Sequence, residues 1–288
     1  YTVTKLLLRE FPPFTLGALR FTSAGIILLA IGLPVYNPSL RPGQFPWGTF
    51  LLIGFFGVAL YSGALNIGLR LTSAVDAALI QAFIPAAFAL AAALVLGERL
   101  TAGRILGIGL SIVGMALVVG SAGFGGQHNL LGDLLVVLTV VGWVISAVLV
   151  KRVSTSVNQT LISGFATFCG ALFLIPVSVV ELAVVGLPSH VSWTAWGLLT
   201  YQALVGSVFA YWCQNTALRH LQASEVASYV NLNSVIGVGL AAIVLGESLL
   251  PLQIVGGVLV LGGVYLAATG GGVSRWWARQ SPRATPPG

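Results

Sequence analysis

Charge is what this sequence has least of. Of 288 residues, 13 are Lys or Arg and 7 are Asp or Glu, so 7% are charged. A soluble domain carries about a quarter. Twenty charges cannot cover a water-facing surface, which excludes a soluble globular protein. Cysteine is nearly as scarce. Cys169 and Cys213 both fall inside apolar runs, which excludes a disulfide framework. The three histidines, His128, His190 and His220, stand apart in loop-like segments and lack metal-ligand spacing. No metal and no cofactor is therefore expected. Basic residues are scattered singly except for Arg275, Arg279 and Arg283 near the end. A nucleic-acid binder would gather them on one face, so no such partner is expected.

Catalytic and nucleotide motifs are missing too. Gly107-Ile108-Gly109 is followed by a glycine five residues on, at Gly114, rather than three. It is not a dinucleotide fingerprint. There is no Walker motif and no HExxH, which argues against an ATP-driven pump and against an enzyme of the zinc-peptidase type.

What remains is apolar. The set AVILMFWYC makes up 57% of the chain, and there are 36 glycines. At about 20 apolar residues per crossing, the length holds nine or ten membrane helices. Breaks at Gly, Pro and charge place them at 13–33, 47–69, 73–97, 101–120, 130–151, 159–185, 193–218, 222–246 and 251–269. Tyr1 to Leu8 reads as the end of one more helix, begun upstream of Tyr1. Residues 121–129 form a linker, and 270–288 a Gly-, Arg- and Pro-rich tail.

The chain repeats itself. A shift of 149 residues sets Trp47 on Trp196, Gly57 on Gly206 and Asn66 on Asn215. It also sets Asp76 on Glu225, Leu96-Gly97-Glu98 on Leu245-Gly246-Glu247, Gly107 on Gly256 and Gly114 on Gly263. A looser offset of 146 pairs Lys5 with Lys151. The two units are 1–120 and 130–269. Five helices per unit is an odd number, so the second unit enters the bilayer inverted. Inverted repeats are common among secondary transporters. With both termini cytoplasmic, nine cations lie inside: Arg41, Arg99, Arg104, Lys151, Arg152, Arg219, Arg275, Arg279 and Arg283. Four lie outside: Lys5, Arg9, Arg20 and Arg70. That bias favours this orientation.

These features carry a family resemblance. Pro12-Pro13 followed by Leu19-Arg20-Phe21, the Gly-Glu pairs at 97–98 and 246–247, and the Gly-x6-Gly after each resemble the EamA group of the drug/metabolite transporter superfamily. The resemblance implies an all-α membrane protein of ten helices in two inverted five-helix repeats around a central cavity. It implies export of small metabolites such as amino acids, from a bacterial inner membrane. Within the group, overall likeness and aromatic content point to exporters of aromatic amino acids.

No carboxylate is expected near the bilayer centre, so recognition must rest on uncharged groups. Ser224, Ser228 and Asn231 share one helix face, as do Ser207, Tyr211, Gln214 and Asn215, and Thr139, Trp143 and Ser146. Tyr61, Asn66 and Gln81 complete the expected cavity lining. For any one of these residues, a hydrogen bond between helices is the competing role. Trp143 and Tyr211 suit a planar apolar substrate with polar ends. Lys5 and Lys151 are expected to meet a substrate carboxylate at a cavity mouth or to snorkel. Glu98 and Glu247 are expected to cap membrane-edge turns or to form gating ion pairs, with Arg104 or Arg99 as partners. Gly103, Gly107 and Gly114, with Gly256 and Gly263, predict tight packing of the helices at 101–120 and 251–269, against neighbours or across a dimer. Pro85 and Pro176 are expected to kink their spans. A sugar-phosphate or nucleotide-sugar exchanger, or a broad drug exporter, is the rival function. A phosphate site would need cations facing the cavity.

Overall fold

The computed structural model describes residues 1–33, 47–97, 100–121, 129–153, 159–188, 190–213, 216 and 223–269. Every regular element among these is helical. In chain order they are α1 (Thr2–Leu7), α2 (Pro13–Gly32), α3 (Trp47–Gly54), α4 (Tyr61–Leu71), α5 (Ala74–Gln81) and α6 (Ile84–Leu96). Then come α7 (Ala102–Gly120), α8 (Leu130–Val153), α9 (Gln159–Val185), α10 (Trp193–Ala203), α11 (Ala223–Leu245) and α12 (Pro251–Thr269). Six-residue π turns, Phe55–Leu60 and Leu204–Phe209, follow α3 and α10. They are 149 residues apart. So are Gly97 and Gly246, which follow α6 and α11 with φ of 69° and 67°, the left-handed geometry that only glycine adopts without strain at a helix end.

Seven stretches of the described residues are long and apolar enough to cross a membrane. They are Pro13–Gly32, Trp47–Leu71, Ala74–Val95, Ala102–Gly120, Leu130–Lys151, Thr160–Val185 and Pro251–Ala268. Leu232–Leu245 is a shorter apolar helix. Large apolar side chains such as Ile105, Leu106, Val179, Val180 and Val258 are exposed on the outside, as lipid contact requires. The chain is an all-α polytopic membrane protein.

The breaks have local causes. Pro85 has no N–H to donate, and the span Ala74–Val95 divides just before it, between Gln81 and Ile84. The helix around Pro176 runs on without a break. Helix starts are capped by hydroxyls. Ser73 accepts from Asp76 N at 2.8 Å, Thr101 from Arg104 N at 3.4 Å and Ser192 from Ala195 N at 3.1 Å.

Glycine sets the closest packing. A Cβ on Gly107 would fall 2.4 Å from Ala267 N, and one on Gly114 would fall 2.6 Å from Gly256 O. The backbones of α7 and α12 therefore touch each other, and Ser111 Oγ donates across the seam to Val260 O at 3.2 Å. The expected tight pair is intramolecular. Helices α2 and α9 meet similarly, with Gly25 against the Phe168 backbone. One core of buried Leu, Val, Ile and Ala joins α1 and α4–α8 to α10, α11 and α12.

Candidate functional site

Helix α8 organises the site along its length. From its middle to its far end, Trp143, Ser146 and Val150 form one wall of a cavity of about 190 Å³. Gly57 on the first π turn, Ser163 and Thr167 on α9, and Tyr211 after the second π turn form the rest. Gly57 is required there, since a Cβ would fall 2.2 Å from Ser146 Oγ. Ser146 donates to Ile53 O at 3.3 Å, and Trp143 meets Phe88 edge-on at 6.4 Å. Three of the residues expected to line a cavity, Trp143, Ser146 and Tyr211, are thus together. Thr167 and Ser163 were not anticipated. They sit about one turn (Ser163) and two turns (Thr167) from the start of α9, four residues apart on one face, where a stripe count could have found them.

Two further expected residues gather around a charge. Arg20 lies on α2, seven residues past Pro13, about 10 Å along the axis at 1.5 Å per residue. Its Nε donates to Ser207 Oγ at 3.0 Å, and Nη2 donates to Gly206 O at 3.4 Å. The Tyr1, Tyr61 and Tyr211 hydroxyls are within its electrostatic reach. Arg20 was counted among the outside cations, yet it lies two turns into the span Pro13–Gly32. The signal was available, because Pro12-Pro13 fixes where the helix begins.

Other expected lining residues serve the fold instead. Gln81 Nε2 donates to Thr139 Oγ1 at 2.7 Å, and both residues are buried. Asn66 Nδ2 donates to Pro13 O at 2.8 Å, holding a carbonyl at the start of α2. These are bonds between segments, and none of the three residues lines the cavity along α8. Asn215 and Glu98 lie outside the described residues. Ser228 and Asn231 fall on α11, where the described side chains begin at Leu232.

At the other end of α8 the bundle is closed. Glu247 pairs with Lys5 Nζ at 2.8 Å. The same carboxylate accepts from Ala74 N and Val75 N, both at 3.0 Å, at the start of α5. An anionic cap there satisfies orphan N–H groups and meets the positive end of the helix dipole. Lys5 also donates to Thr72 O at 2.8 Å. The Thr72 hydroxyl bonds both Asp76 and Asp133, and Asp76 accepts from Gln253 Nε2 at 2.6 Å. Asp133 stands in the first turn of α8, about 15 Å from Trp143 by helical rise. The partner of Glu247 is Lys5 rather than Arg104, and Arg99 lies outside the described residues. Lys151 sits exposed at the opposite end of the span Leu130–Lys151.

Other scarce carboxylates have the same job. Glu181 accepts from Phe14 N at 3.2 Å and Thr15 N at 2.8 Å at the start of α2. Glu10 accepts from Ser192 N at 2.7 Å at the start of α10. Among the described residues, no three His, Cys, Asp or Glu stand close enough to hold a metal.

A lipid-facing helical bundle with a polar-walled cavity along one helix and a polar closure beyond it defines a membrane transport protein. The chain belongs to the EamA-like transporter family, which it matches over residues 1–120 and again over 130–269. It is 26% identical over 273 residues to the uncharacterized transporter YyaM of Bacillus subtilis, covering 93% of this chain and 88% of that protein. It is 26% identical over 277 residues to a probable amino-acid metabolite efflux pump of Escherichia coli, covering 94% and 90%. A protein of known crystal structure shares the fold, with a TM-score of 0.61 at 21% identity over 92% of this chain and 90% of its own.

Proposed function

We propose that this chain is a secondary transporter exporting small metabolites, chiefly amino acids and among them the aromatic ones. The observation that carries the reading is the cavity along α8, where Trp143 and Tyr211 stand beside Ser146, Ser163 and Thr167. Aromatic walls suit a planar side chain, and hydroxyls suit the polar end of an amino acid. The name of the Escherichia coli relative, a probable amino-acid metabolite efflux pump, supports the same class.

Transport runs by alternating access between two inverted five-helix repeats, 1–120 and 130–269, in a bacterial inner membrane with cytoplasmic termini. The paired π turns and paired left-handed glycines at a constant 149-residue spacing support the duplication. In that topology Lys5 and Glu247 close the outer mouth, while the cavity reaches Val150 near the inner end of α8. The chain then stands inward-facing. The sequence repeat gives Lys151 and Glu98 the matching part at the inner mouth.

Counterflow in proteoliposomes, with amino acids, sugar phosphates and organic cations and with or without a pH gradient, tests this reading. Saturable exchange of phenylalanine and tryptophan is expected. Exchange of sugar phosphates alone overturns it.

A further inference from the structure

Arg20 is a charge placed where charge is most costly. It stands two helical turns inside the span Pro13–Gly32. Ionisable residues at such depth are rare, face a wet cavity or the bundle interior, and mark substrate pathways. Arg20 fits that description. It is partly accessible, as are Tyr1, Tyr61 and Tyr211 around it. Tyr211, within the electrostatic reach of Arg20, also lines the cavity beside Trp143, so one side chain borders both places.

The guanidinium has spare capacity. It carries five N–H donors. Nε is given to Ser207 Oγ at 3.0 Å, and Nη2 makes one long contact of 3.4 Å to Gly206 O. No carboxylate among the described residues pairs with it. Ser207 and Gly206 both lie in the second π turn, Leu204–Phe209. π turns recur at functional sites because the extra residue re-aims side chains and carbonyls. Here the turn orients the guanidinium by its Nε edge, its carbon lies 4.8 Å from the Phe21 ring centroid, and no hydrogen bond among the described residues uses Nη1. A planar fork in that state matches a carboxylate, which it can hold by two parallel bonds.

We propose that Arg20 anchors the carboxylate of the transported substrate, with the side chain of that substrate lying against Tyr211 and Trp143. The proposal rests on the amino-acid reading of the cavity and sharpens it. The substrate must carry an acid, and the amino group contributes less. A single guanidinium suits a monoanion such as a carboxylate. A phosphate dianion would call for further cations, and none appears in the described lining.

The test uses the full chain in proteoliposomes. Four competitors differ only at the polar end: phenylalanine, phenylalaninamide, phenethylamine and 3-phenylpropanoate. Wild type is expected to prefer phenylalanine over its amide by about 10- to 100-fold, the range of a charge-assisted bond. Arg20→Gln should abolish that preference while the amide is still taken up. Equal preference in Arg20→Gln and wild type overturns the anchor and leaves the transport reading standing. Transport of 3-phenylpropanoate but not phenylalanine, lost in Arg20→Gln, keeps the anchor and overturns the amino-acid reading. A wild type that accepts none of the four overturns both. If Arg20→Gln does not reach the membrane, Arg20→Lys decides. It keeps the charge and is expected to keep the acid preference at lower affinity. Equal affinity for acid and amide in Arg20→Lys overturns the anchor.

Discussion

Lys5 and Glu247 lie 242 residues apart in sequence and 2.8 Å apart in space, with the Glu247 carboxylate also bonded to the first N–H groups of α5. The pair ties three segments together at one point, α1, α5 and the turn between α11 and α12. Both side chains are mostly buried, at 18% and 10% exposure. A surface ion pair contributes little. This one gains from two backbone donors and a helix end, so the carboxylate matters more than the ammonium.

That asymmetry is testable. Glu247→Gln should loosen the start of α5, with Ala74 and Val75 amides exchanging about 10- to 100-fold faster, as expected on losing charge-assisted bonds. Lys5→Gln leaves both N–H bonds in place and should change exchange by a smaller factor. Hydrogen exchange read by mass spectrometry on peptides covering 72–81 decides. Equal effects from the two substitutions would show that the ion pair, not the helix cap, holds the closure.

The α7–α12 seam should be intolerant of a methyl group. Gly107→Ala places Cβ within 2.5 Å of the Ala267 and Gly263 backbone, and overpacking of this kind costs about 1–3 kcal/mol. Gly109 on the same helix faces open space. Gly109→Ala should be neutral or stabilising by up to about 1 kcal/mol. Melting temperatures in detergent compare the two directly, and a Gly107→Ala protein as stable as wild type would refute the close contact.

Cavity and fold residues should separate by readout. Trp143→Ala and Tyr211→Ala are expected to raise the half-saturation concentration for phenylalanine by about tenfold, as loss of an aromatic contact implies. Their melting temperatures should stay near wild type. Asn66→Ala leaves Pro13 O without its donor and should cost about 1–3 kcal/mol of stability with little change in half-saturation. Unchanged phenylalanine uptake in both aromatic variants would refute the cavity assignment.

Seven of the nine expected spans were legible in the sequence, all but 193–218 and 222–246, because apolar runs and their breakers act locally. Pro85 marked the break before α6, and the Gly107 and Gly114 faces marked the seam with α12. The role of each polar residue was less legible. Gln81 and Thr139 each looked like lining, but they bond each other through Gln81 Nε2, a fact that depends on how α5 and α8 meet. Glu247 was read as part of a gate with Arg99 or Arg104, and the partner it has among the described residues comes from α1. Arg20 was hidden by counting charges toward topology. Its depth follows from the helix start at Pro13, but its contact with Ser207 needs the second π turn, which no local pattern announces.

The central claim is a substrate cavity reached from one side of the membrane while Lys5 and Glu247 close the other. Single-cysteine accessibility measures this most directly. Cys169 and Cys213 are replaced by Ser, and Ala147, on the cavity wall, by Cys. A membrane-impermeant thiol reagent should label Ala147→Cys from the cytoplasmic face, phenylalanine should protect it, and adding Glu247→Gln should open labelling from the outer face. Labelling of the parent from the outer face, or labelling that phenylalanine does not slow, would contradict the account.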